Sequence, residues 1–147
     1  MTDVGTMDDS TITKFSHVRP GDTGWRTDGL RDFFMYRDLG VAVATQGAVL
    51  AQLVRANLAP SLMGTGWHRH DAKFHIVIML KGWARFMYDE KVTLVKAGDC
   101  VHQRPGIVHD LFDYSSDMEF LEIIGPADYK TVPVAGPCPA PAPTPWY

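Results

Sequence analysis

Only two cysteines occur among the 147 residues, Cys100 and Cys138, and neither belongs to a Cys-x-x-Cys pair. Too few to build a disulfide framework, they are expected to be reduced thiols. No run of Lys and Arg interleaved with aromatics is present and the formal charge is only -3, which argues against nucleic acid as a partner. No apolar stretch approaches the roughly 20 residues that a membrane span needs. The opening segment, Met1 to Ser10, lacks the basic patch and hydrophobic run of a secretory leader, so a cytoplasmic protein without membrane contact is expected. Gly-x-Ser-x-Gly, a Walker loop and His-Glu-x-x-His are all missing, so any chemistry must come from a metal. Helix signals are scarce, and Pro126 to Lys130 allows at most a turn.

What is there reads as one all-β domain, with 46% apolar and 21% charged residues. Strands are expected at Asp32 to Asp38 and Val41 to Thr45, broken by Leu39-Gly40, then at Ala48 to Leu58 and through the histidine-rich segment. Further strands are expected at Trp83 to Asp89, Lys91 to Val95, Cys100 to Gln103 and Met118 to Ile124. Six of the ten prolines follow residue 132, which favours extended chain. The expected division is an N-terminal arm at 1–30, a β-barrel at 31–127 and a Pro-rich tail at 128–147. That tail is either loose or a docking arm across a second subunit, anchored by Trp146 and Tyr147.

Four of the six histidines fall in one register: His68 and His70 two apart, His75 five further on, and His109 beyond the turn at Gly98-Asp99. On an extended strand alternate side chains share a face, so His68 and His70 point the same way and Arg69 the other. His75 opens the run Ile76 to Leu80, whose β-branched character reads as a strand, and shares its face with Val77 and Met79. Several imidazoles on one buried face would be a costly polar cluster without an ion. His75 is the weakest of the four and has an alternative place beside the ion, with water or Asp71 completing the sphere. His17 and His102 read as surface residues or hydrogen-bonded core.

The stretch Gly64 to Gly82, with His68, His70, His75 and Gly82 in phase, resembles the first motif of the cupin superfamily, in which His75 stands where a glutamate is usual. Gly98-Asp99, Arg104-Pro105-Gly106 and His109 are similar to the second motif, with Arg104 in place of its first proline and Asp113 where Asn is frequent. The resemblance spans roughly residues 40 to 125. It implies a double-stranded β-helix, a jelly-roll barrel, with a metal near one mouth.

Neutral imidazoles suit one divalent transition metal per subunit, with Fe(II) first and Zn, Ni, Mn, Co or Cu as alternatives, rather than Mg or Ca. Because each ligand must be unprotonated, occupancy is expected to fall below about pH 6. Strand phase puts Val77, Met79, Phe86 and Leu111 around a greasy small-molecule pocket, and Arg104 at a bend near the metal. There Arg104 either holds a substrate carboxylate or makes a surface ion pair. Trp67 and Phe74 form a rim or simply pack.

The favoured function is a non-heme iron dioxygenase acting on a diketone, hydroxyketone or phenol. The alternatives are a Lewis-acid isomerase, cyclase or hydrolase, with Tyr88 or His102 as candidate proton-transfer groups, and a non-catalytic binding module. The face of Ile76, Ile78 and Leu80 is apolar too, so it is expected to be covered by N-terminal strands, by a second copy in a homodimer, or by both.

Overall fold

The computed structural model describes residues 13–146, and Tyr147 lies outside them. Two five-stranded antiparallel sheets face each other as a jelly roll. The first runs β1 (Phe34–Asp38), β2 (Leu50–Ala56), β9 (Glu119–Gly125), β4 (Phe74–Lys81) and β7 (Cys100–His102). The second runs β10 (Lys130–Pro133), β3 (His68–Asp71), β8 (His109–Tyr114), β5 (Trp83–Tyr88) and β6 (Lys91–Lys96). Period-two burial is plain in β3 and β4: His68, His70, His75, Val77 and Met79 turn inward while their neighbours are half-buried or exposed.

The core between the sheets is built from both, with Phe34, Val54 and Phe120 from one and Phe86, Leu111 and Tyr114 from the other. The outer face of β4 is partly covered within the single chain: Ile76 and Ile78 are half-buried and Leu80 is 43% exposed.

Two elements depart from the sequence reading. Val41–Ala44 is a single helical turn, α1, instead of a strand. Its alternating Val and Ala suggest a strand, but the segment has to reverse the chain between the antiparallel neighbours β1 and β2. Gly40 opens that reversal in the left-handed region at φ 79°, a conformation that costs glycine little. The second departure is β10, a strand inside the Pro-rich tail, whose Lys130 to Pro133 pair with Asp71 to His68. Beyond it the chain returns to its own sheet. Thr144 hydrogen-bonds buried Asp113, and the Trp146 indole N–H donates to the Tyr114 carbonyl at 3.0 Å.

Candidate metal centre

Alternation along β3 delivers His68 and His70 to the inner face, and β8 begins with His109 directly opposite His68. This is the one register pair joining β3 to β8, so the strands touch at the histidines themselves. All three rings are buried, with centroids 4.2 to 5.0 Å apart, and one nitrogen from each lies within 4.8 Å of the other two.

Hydrogen bonds fix which nitrogen that is. The His68 Nδ1–H donates to the Gly66 carbonyl at 2.6 Å and the His109 Nδ1–H to the Ile107 carbonyl at 3.0 Å. A carbonyl only accepts, so both rings are Nε2 lone-pair tautomers. His70 Nδ1 is held by the Thr131 hydroxyl of β10 at 2.9 Å. No fully enclosed side-chain nitrogen or oxygen among the described residues lacks a partner, so the free Nε2 atoms face the cavity. Three neutral, borderline-soft nitrogens suit a first-row divalent transition ion. This donor set fits such a metal.

Burial drives the three imidazoles toward neutrality. It pushes His68 down to about 4, His109 to about 3 and His70 to about 2, with the neighbouring rings adding to the shift of His70 and His109. All three are therefore lone-pair donors at neutral pH.

His75 is placed differently. Its ring lies 5.2 Å from that of His70, but its Nε2–H donates to Glu122 Oε1 at 2.7 Å and its Nδ1 accepts from the Gln103 amide at 3.0 Å. Gln103 in turn accepts from the Tyr88 hydroxyl, and Gln52 donates to the second Glu122 oxygen at 2.8 Å. The result is a one-way chain of donors, Tyr88 to Gln103 to His75, ending on a carboxylate. Burial would raise the Glu122 pKa, yet the hydrogen bonds from His75 and Gln52 outweigh it and hold the group below its usual range. With both nitrogens engaged, His75 stands beside the set of three, and the four-histidine arrangement resolves into three plus a buried His-Glu pair.

The comparisons with known proteins agree with this fold. The family model described as Cupin domain matches residues 54–124, a span that holds all four histidines and Glu122. The chain belongs to the cupin superfamily. Its fold is similar to that of the polyketide cyclase RemF from Streptomyces resistomycificus, at TM-score 0.63 and 14% identity over 82% of this chain and 86% of that one. KdgF from Halomonas sp. is similar at TM-score 0.61 and 12% identity, over 77% and 94%. An RmlC-like cupin from Shewanella frigidimarina follows at 0.56 and 11%, over 80% and 96%. No curated protein matches by sequence.

In this cupin the space in front of the histidines is a cavity of about 60 Å³ between the sheets, walled by Val77, Phe86, Leu111 and Phe120 with Glu122 among them. Three of the four apolar residues expected in the pocket, Val77, Phe86 and Leu111, line it. Met79, at 0% exposure, is in the core and not on that wall, because it sits further along β4, opposite Phe120 in the β4–β9 register and within the apolar cluster.

Neither candidate proton-transfer group faces the cavity. Tyr88 stacks on Phe86 and spends its hydroxyl on Gln103, while His102 lies exposed at the end of β7, on the opposite face from Gln103. Arg104, its side chain 61% exposed, sits 3.6 Å from Asp89, which is the surface ion pair; it is not on the wall of this cavity but borders a small neighbouring recess with His70, His75 and His109. Asp71 is exposed and pairs with Arg69. Glu122, Gln103, Arg31 and Thr131 were all missed. The one available signal was an acidic residue inside the apolar strand Glu119–Gly125, where an unpaired charge would be costly.

Proposed function

We propose that this cupin is a metal-dependent enzyme acting on a small organic substrate that chelates through oxygen. The reading is carried by the convergence of three neutral imidazole nitrogens on one apolar-walled cavity. A redox-active divalent ion held there, Fe(II) first, would supply Lewis acidity and a path for electrons from chelated substrate to dioxygen, which is dioxygenase chemistry. The residues do the rest. His68, His70 and His109 hold and orient, with their tautomers set by Gly66, Ile107 and Thr131. Val77, Phe86, Leu111 and Phe120 exclude water, and no acidic ligand reduces the positive charge presented to the substrate.

Glu122 favours a second reading, in which the ion is redox-silent. It is the one carboxylate on the cavity wall among the described residues, and its two hydrogen-bond donors make it a weak base, able to take a proton only from an activated C–H. Isomerisation or ring closure would follow, and RemF, a polyketide cyclase of similar fold, has this kind of activity. Metal analysis of protein purified without added ions, followed by oxygen uptake with diketones and phenols, separates the two. Iron with substrate-dependent uptake supports the dioxygenase, and zinc or nickel without uptake supports the second reading. Failure to hold iron, zinc, nickel or cobalt after incubation with each would overturn both.

A further inference from the structure

Among the described residues the histidine cavity has one cationic side chain on its wall, Arg31. Every other arginine has a partner. Arg19, Arg26, Arg69, Arg85 and Arg104 pair with aspartates, Arg37 is bound by backbone carbonyls, and Arg55 lies over Trp25. Among the described residues the Arg31 guanidinium makes no hydrogen bond and no ion pair.

The backbone behind it is nevertheless fixed. Its N–H donates to the Tyr36 hydroxyl at 3.0 Å, and Gly29 packs so closely on the Tyr36 ring that a Cβ there would collide with it. Tyr36 thus pins the segment that presents Arg31 to the cavity. The charge is felt inside, where it adds to the burial that keeps His68 and His70 neutral. With a divalent ion on the histidines and Glu122 as the one acidic group, the cavity is net positive.

We propose that Arg31 is the anion anchor of this cavity and that the substrate is a small carboxylate. Its carboxylate pairs with the guanidinium fork while a neighbouring carbonyl or hydroxyl oxygen is directed to the three histidines. This deepens the metal-enzyme reading and rests on it. It also moves the carboxylate-binding role from Arg104, which is engaged with Asp89.

The test compares matched probes, pyruvate with diacetyl and acetoacetate with acetylacetone, in which a carboxylate replaces an acetyl group. Binding is measured by calorimetry on zinc-loaded protein, with metal content assayed in parallel. The expected result is preference for the carboxylate of at least one pair, reduced about tenfold in Arg31→Gln, largely kept in Arg31→Lys and unchanged in Arg104→Gln, with equal zinc in all. Absence of any carboxylate preference, or its survival in Arg31→Gln, overturns the proposal. Should wild-type protein hold neither zinc nor iron, nickel or cobalt, the metal centre fails. A thermal shift by the carboxylate probes that Arg31→Gln abolishes would then still assign the anion site.

Discussion

At the scale of single residues, the three ligands and His75 differ in what their loss leaves behind. His70→Ala or His109→Ala removes one of three donors, and metal content after dialysis is expected to fall to background. His75→Ala should keep most of the metal but strand the Glu122 carboxylate and the Gln103 amide, at a cost of about 1–3 kcal/mol in urea unfolding. Equal metal loss in all three variants would return His75 to the ligand set. The pKa values set a pH window as well. In the unfolded chain these imidazoles protonate near 6.5, whereas in the fold burial lowers them to about 4, 3 and 2. Between those limits the unfolded state binds more protons, so the metal-free protein is most stable above pH 6.5 and loses stability as pH falls through that value toward 4. Urea midpoints taken from pH 7.5 to 4.5 should decline steadily; a flat series would mean that the rings protonate freely in the fold. Metal release should correspondingly begin below the pH 6 expected from free imidazole. His68, His70 and His109 were legible because strand alternation and turn position mark them locally. The employment of His75 was not, since its partner Glu122 lies 47 residues away and nothing near either residue announces the other.

Secondary-structure elements were readable wherever one face is buried. β4 and β9 carry dense apolar residues at strand spacing, and the structure places strands there. Val41–Ala44 misled because β-branched residues describe what fits a pleated surface, not where the chain must turn. β10 was hidden by proline, which is tolerated at a sheet edge, and β10 is the edge strand of its sheet. The turn between β4 and β5 offers a clean test. Gly82 has φ +66°, and a Cβ there would collide with Ser115 and Asp117 and reach within 3.0 Å of the Met118 amide. Gly82→Ala should therefore destabilise the protein by about 1–3 kcal/mol in urea unfolding without changing metal stoichiometry. A neutral effect would show that the turn has room to relax.

For the molecule as a whole, the paired sheets, their histidine mouth and the wall residues Val77, Phe86 and Leu111 could be anticipated, whereas the rest of the cavity wall could not. That wall draws on residues from the thirties, fifties, eighties and one hundred and twenties, and sequence spacing says nothing about which of them meet. An ion bound only by the folded state stabilises it through mass action. Chelation of metal-loaded protein is expected to lower the melting temperature on the order of 5–10 °C, and restoring the ion should recover it. An unchanged melting temperature with confirmed metal removal would mean that the ion contributes nothing to the fold.

The hydroxyl of Thr131 reaches back 61 residues to hold the ring of His70. During synthesis, then, the binding cup stays unfinished until the ribosome has added the edge strand β10. Alignment of that ring has to wait for the strand to emerge, and a nascent chain stalled before it would carry all three histidines yet hold one of them unaligned.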